Sequence, residues 1–103
     1  MSNIDLKKTD DVNQLFDLYK ELLTPKQRDY FEMYYFENYS LTEIATEFGI
    51  SKNAVYDSLQ KTTQYLENVE EKLMFNSKIN TIKDLILKDD IDIDLIKSKI
   101  MEL

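Results

Sequence analysis

LTEIATEFGISKNAVY, residues 41–56, is the stretch whose reading decides the fold. Ile44 and Phe48 stand one helical turn apart and make an inward face. Ala45 is small at the point where two helices have to cross closely. Gly49 supplies the left-handed residue that a tight turn between helices requires. Ile50 is placed to plug the corner, and Val55 and Leu59 to anchor the second helix on the first. Ser40 comes just before, with Glu43 three residues on, which is the capping-box spacing. These requirements meet in one motif, the helix-turn-helix.

Outward from this motif the chain stays helical. It has 103 residues with one Gly and one Pro, and hairpins and sheets need turn residues that are missing here. An apolar fraction of 43% is enough for a core in a chain of this length. Residues 1–10 are polar and expected to fray. A first helix is predicted from about Asp11 to Leu23, with an apolar stripe running from Val12 through Leu15, Phe16 and Tyr19. Thr24-Pro25 ends it and starts a second, since Thr caps well and Pro suits the first helical position. This second helix, residues 25–38, is rich in aromatics: Tyr30, Phe31, Tyr34, Tyr35 and Phe36. After the short helix at 41–48, Ser51 caps a long fourth helix predicted to reach about Phe75. Two more are expected, around Ile79 to Leu87 and Asp92 to Met101. The chain therefore reads as all-α: a helix-turn-helix bundle with a long fourth helix and a C-terminal helical extension. It is expected to form a single helical domain over 1–103, with the helix-turn-helix core at about 24–66 and the C-terminal helices at about 79–102.

The composition removes several kinds of chemistry. There is no Cys, hence no disulfide or thiolate metal site, which suits a reducing cytosol. There is no His, the commonest general base and metal ligand. The alternating Asp90, Asp92 and Asp94 lack the glycine of a calcium loop, and Met101 stands where its bidentate Glu belongs. They read instead as capping and first-turn charges of the last helix. No nucleophile–base pair and no phosphate-cradling Gly loop can be assembled, so the chain reads as a protein without catalytic residues, metal or cofactor. No apolar run approaches the roughly 18 residues of a membrane span. The first residues carry no signal-like apolar stretch, so a cytoplasmic protein is expected.

The formal charge of −7 runs against nucleic-acid binding, which is driven largely by phosphate neutralisation. Residues 24–66 alone hold four Lys/Arg and six Asp/Glu, a net −2. The chemistry for base reading is nevertheless present. In DNA-binding versions of the motif the second helix enters the major groove. Its outward residues here are Lys52, Asn53, Tyr56 and Gln60, and Lys pairs with guanine as Asn or Gln does with adenine. Lys26, Arg28 and the N–H groups near Thr42 are placed to meet phosphates. Asp57 points out beside them. The same side chains also suit a solvated surface that binds no nucleic acid.

The fourth helix carries a second signal. Val55, Leu59, Thr62, Leu66, Val69 and Leu73 recur at spacings of four and three, a seam longer than a recognition helix needs. Either the first and last helices of the same chain cover its far part, or Leu66, Val69 and Leu73 meet a partner such as a second copy. Tyr34 and Tyr35 admit the same two readings, core or partner surface.

Residues 23–30 (LTPKQRDY), Tyr34-Tyr35, residues 39–45 (YSLTEIA) and Val55-Tyr56-Asp57 together resemble the YlxM family of small bacterial proteins, over about residues 11–78. That family is similar in turn to the promoter-reading C-terminal domain of bacterial sigma factors. The resemblance implies a non-enzymatic role in the signal recognition particle pathway, with the particle's GTPase or its RNA as partner. It brings no catalytic residues. This sequence departs from the family pattern after Ser51, where Lys52-Asn53 replaces Arg-Gln and residues 58–61 (SLQK) replace a more basic stretch. A sequence-specific DNA-binding regulator is the rival expectation.

Overall fold

The computed structural model describes residues 9–103, and the regular elements among them are all helical. The expectation that residues 1–10 fray falls mostly outside the described residues; Thr9 and Asp10 already belong to a helix. That helix, α1 (Thr9–Tyr19), passes into a single 3₁₀ turn at Lys20–Leu22, so the first helix tightens where an α-helix to Leu23 was expected. Thr24 then caps α2 (Pro25–Tyr35) with a reciprocal pair: the Gln27 N–H donates to Thr24 Oγ1 at 3.2 Å, and the Thr24 N–H to Gln27 Oε1 at 2.9 Å. Helix α2 stops at Tyr35, and Asn38 takes a left-handed φ of 60° that Asn tolerates better than most residues. Next come α3 (Leu41–Phe48), α4 (Lys52–Leu73), α5 (Phe75–Ile86) and α6 (Ile93–Met101).

Helix α4 is the spine, with α1, α2 and α3 packed against it. Where they meet, Val12, Phe16, Phe31, Ile44, Val55, Leu59 and Leu66 are all but sealed from solvent. Phe16 and Phe31 stack with centroids 4.3 Å apart and rings 3° from parallel, and Tyr35 stacks on the other side of Phe31 at 4.4 Å. Burial of this kind contributes about 1.5–3 kcal/mol per large side chain. Five aromatics on α2 and its end do not all fit beneath it. Tyr30 and Phe31 are buried, Tyr34 and Tyr35 are half-buried at the rim, and Phe36 is 49% exposed.

The seam of α4 is covered by the chain itself for most of its length. Val55, Leu59, Thr62 and Leu66 are 0% exposed, Val69 is partly buried against the same core, and Leu73 is 43% exposed. Leu66 is therefore not a partner surface. It lies inside the core that α1 closes over α4, which is the intramolecular reading.

Helix α4 also ends earlier than Phe75. Met74 takes a left-handed conformation at φ 58°, and α5 starts at once at Phe75, four residues before the expected Ile79. A non-glycine residue there costs about 1–2 kcal/mol. Glu70 offsets that cost. Its carboxylate accepts the Tyr19 hydroxyl at 2.7 Å and the Asn76 N–H at 3.0 Å on Oε1, and the Ser77 N–H at 3.0 Å on Oε2. The unpaired N–H groups and positive dipole end of α5 are thus satisfied by a carboxylate from the preceding helix. A spacing rule for local caps does not see such a contact.

Burial, with Glu70 beside it as acceptor and as negative charge, pushes the Tyr19 phenol from 10.0 up to about 12. Burial, with Tyr34 as a lesser cause, pushes Tyr35 up to about 12 as well. Folding thus favours the neutral phenols. Their contribution to stability is complete below pH 10 and drains away as pH rises towards 12. An absorbance titration near 295 nm is expected to show Tyr19 and Tyr35 ionising only as pH approaches 12, in step with loss of helicity. Ionisation of Tyr19 and Tyr35 near pH 10, with the fold intact, would contradict this.

Beyond Met74 the structure thins. Asn76 and Asn80 each donate an amide N–H to Gln14 Oε1 at 3.3 Å, tying α5 to α1. Helix α6 packs on α5 and is capped by Asp92, whose Oδ1 accepts the Leu95 N–H at 3.0 Å. From Phe75 onward Ile82 alone is buried. The molecule measures 54 × 24 × 20 Å with a radius of gyration of 17.0 Å, against about 13 Å for a compact chain of this length.

Candidate functional site

The helix-turn-helix is built from the cues that local chemistry supplies. The Glu43 N–H donates to Ser40 Oγ at 3.0 Å and the Ser40 N–H to Glu43 Oε1 at 2.8 Å, closing the capping box of α3. Gly49 ends α3 at φ 66°, ψ 37°, and the Ile50 N–H reaches back to the Ala45 carbonyl at 3.0 Å. Ser51 Oγ accepts the Ala54 N–H at 3.0 Å and starts α4. Ala45 lies in the core with Ile44, while Phe48 and Ile50 pack on its edge.

A Cβ placed on Gly49 would meet nothing within 4 Å, so glycine is needed for its backbone angle and not for space. Gly49→Ala is expected to cost about 1 kcal/mol by the left-handed penalty, with Gly49→Asn costing less. Urea unfolding of the two variants measures it. A cost of several kcal/mol would mean that the turn is crowded.

The structure leaves the start of α4 uncovered. Lys52, Asn53 and Gln60 are exposed and Tyr56 is half-buried, and Lys52, Tyr56 and Gln60 follow one another at intervals of one turn. Asp57 is exposed one turn beyond Asn53, and Lys61 is exposed next to Gln60. Thr42 is exposed in the first turn of α3, and Lys26 in the first turn of α2. Arg28 is less available, because its guanidinium pairs with Glu21 at 3.4 Å across the turn between α1 and α2. The face is accessible and of mixed sign, with Glu43 and Glu47 exposed on α3 beside it.

The residues considered as a partner surface separate. Leu66 is core, Val69 and the Tyr34–Tyr35 pair are partly buried against the core, and Leu73 is exposed. Tyr34 meets Tyr35 edge-on at 5.0 Å, and the buried Tyr35 hydroxyl has no hydrogen-bond partner among the described residues. Tyr35 therefore serves mainly by stacking. Sequence reasoning missed the Glu70 cluster; the only trace of it was a Glu a few residues before Asn76-Ser77.

A shallow groove of about 300 Å³ lies between α1 and α5, lined by Gln14, Asp17, Leu18, Asn76, Ile79, Asn80 and Lys83. Its lining holds no nucleophile with a base beside it. Among the described residues no cluster of three or more carboxylates is placed to hold a metal ion. None of the described helices is long and apolar enough to cross a membrane.

Known proteins share this sequence over most of its length. The UPF0122 family model, of YlxM / p13 like helix-turn-helix proteins, matches residues 6–102. A UPF0122 protein of Oceanobacillus iheyensis is 58% identical over 73 residues, covering 71% of this chain and 70% of the relative. One of Mycoplasma capricolum is 50% identical over 88 residues, 85% of this chain and 78% of the relative. One of Streptococcus pyogenes is 43% identical over 96 residues, 93% of this chain and 80% of the relative. With the motif built as described and a family match across nearly its whole length, the chain belongs to the UPF0122 family of YlxM / p13 like helix-turn-helix proteins.

Proposed function

We propose that this protein is a non-enzymatic accessory factor of the cytosol that acts by binding, with the GTPase of the signal recognition particle or its RNA as partner. In this reading the helix-turn-helix is a scaffold that holds a protein-binding surface in place. The observation that carries it is the sign of charge around the motif. Residues 24–66 sum to −2, Asp57 sits on the outer face of α4, and Arg28 is tied to Glu21. A duplex would meet few free cations here, whereas affinity for DNA grows with the number of phosphates neutralised. The particle as partner comes from the resemblance to YlxM proteins. Retention of the chain by purified particle GTPase, with or without its RNA, supports the proposal. No retention in either arm removes it.

A second reading has one observation in its favour: Lys52 and Asn53 are exposed at the start of α4, where base-reading residues of such motifs stand. If the protein is a sequence-specific DNA-binding regulator, selection from a random duplex pool returns a motif. Asn53→Ala then relaxes the preference for adenine by about 1–3 kcal/mol at one position, and binding falls steeply with salt. A pool that yields no enriched motif leaves the first reading standing.

A further inference from the structure

Among the described residues, α5 packs on α1 and α6 packs on α5, and no further element covers the α5–α6 hairpin. Ile86, Leu87, Ile91, Ile93, Ile100 and Met101 are between 49% and 85% exposed. Large apolar side chains exposed together are a recurring mark of an interaction surface, whereas single ones need no explanation. Two helices alone make no core, because an amphipathic element is stable only when its apolar stripe packs against a second layer.

We infer that this hairpin is a dimerisation arm, and that its second layer is the same hairpin of another copy of the chain. Three features favour a second copy over an unrelated protein. Composition comes first: beyond Phe75 the chain has no aromatic residue and no Arg, and its exposed apolar side chains are Ile, Leu and Met. Aliphatic surface of this kind resembles a core cut in half, as in obligate homodimers, whereas recognition of other proteins is dominated by Trp, Tyr and Arg. Charge comes second. The approach to α6 and its first turn are acidic, with Asp89, Asp90, Asp92 and Asp94, while Lys97 lies further along beside Lys99, which pairs with Glu102 at 3.9 Å. A two-fold axis perpendicular to α6 pairs it with its mate antiparallel, and so sets the acidic start of each copy against the Lys97 end of the other. Exposure comes third: each partner contributes about 800 Å² to a standard interface, and six large apolar side chains of the hairpin, 49–85% exposed, are available to it. Two hairpins of this size close into a four-helix bundle, leaving the start of each α4 free at the far parts of the assembly.

The full chain is tested by sedimentation across a concentration series. The parent is expected at twice 12.3 kDa, and Ile93→Glu and Met101→Glu at 12.3 kDa with helicity unchanged. Neither side chain is buried in the single chain, so neither variant disturbs its core. A parent that stays at 12.3 kDa at hundreds of micromolar overturns the inference, as does a dimer that both variants leave whole. Because the described residues and the sequence contain no cysteine, single-cysteine variants give an independent readout. Ile93→Cys and Met101→Cys are expected to cross-link into dimers at low micromolar concentration with a short bis-maleimide, and Asn53→Cys is not. Cross-linking of Asn53→Cys alone would place the contact on the helix-turn-helix and overturn the arm.

Discussion

Leu66→Glu is expected to unfold the protein, while Leu73→Glu, two turns further along the same stripe of α4, is expected to leave its stability within about 0.5 kcal/mol. Leu66 is 0% exposed and Leu73 is 43% exposed. Removing the buried leucine side chain costs about 2–5 kcal/mol. A carboxylate in its place has no cationic partner in the core cluster, and burying an unpaired charge costs several kcal/mol more. The sum rivals the whole stability of a small domain, about 5–15 kcal/mol. Far-UV circular dichroism and urea titration of the two variants decide the matter. A folded Leu66→Glu protein of altered mass would show that the residue faces a partner after all; a collapsed Leu73→Glu protein would show that the seam is sealed to its end.

Glu70→Ala is expected to release the C-terminal hairpin from the body without unfolding the body. The carboxylate holds three donors, from Tyr19, Asn76 and Ser77, beside a methionine in a left-handed conformation. Losing a charged acceptor for such groups costs about 1.5–3 kcal/mol. The cost falls on α5, whose first turn has no other side-chain cap. Hydrogen exchange is the suitable measurement. Amides of α5 and α6 are expected to lose about 10–100-fold in protection, while those at the α2–α3–α4 crossing keep theirs. Glu70→Gln retains one acceptor but turns an amide donor towards another, and is expected to fall between the two. Uniform loss across the chain would mean that Glu70 supports the core itself, and no loss at all would mean that the junction is held by packing of Phe75.

The two variants divide the molecule into a part legible in the sequence and a part that was not. The helix-turn-helix was legible because each of its cues acts over three to five residues. Ser40 and Glu43 close on each other, Gly49 takes the angle that it alone takes cheaply, and Ser51 caps the next N–H groups in reach. The end of α4 was not legible. Nothing in LENVEEKLMFN, residues 66–76, marks a break, since Met is a good helix former and no Gly or Pro is present. The break is set by Tyr19, 51 residues away from Glu70, together with the N–H groups of α5.

The candidate site shows the same division. That Lys52, Asn53 and Gln60 face outward followed from the helical period. That Arg28 is occupied by Glu21 depended on the 3₁₀ turn at Lys20–Leu22, which brings the end of one helix over the start of the next. Leu66 and Leu73 occupy equivalent places in the same repeat, and period alone gives them the same fate. Which of them is covered depends on how far α1 reaches along α4, a matter of helix length and crossing.

By itself, then, the amino-acid order determined the helical class, the capping boxes of α2 and α3 and the sharp turn at Gly49, because hydrogen bonds between near neighbours and the steric cost of a left-handed residue are settled locally. Tertiary structure alone decided where the apolar stripe of α4 goes under cover and where it emerges, and which cations stay free. Burial and ion pairing are properties of surfaces that meet only after the chain has folded back on itself.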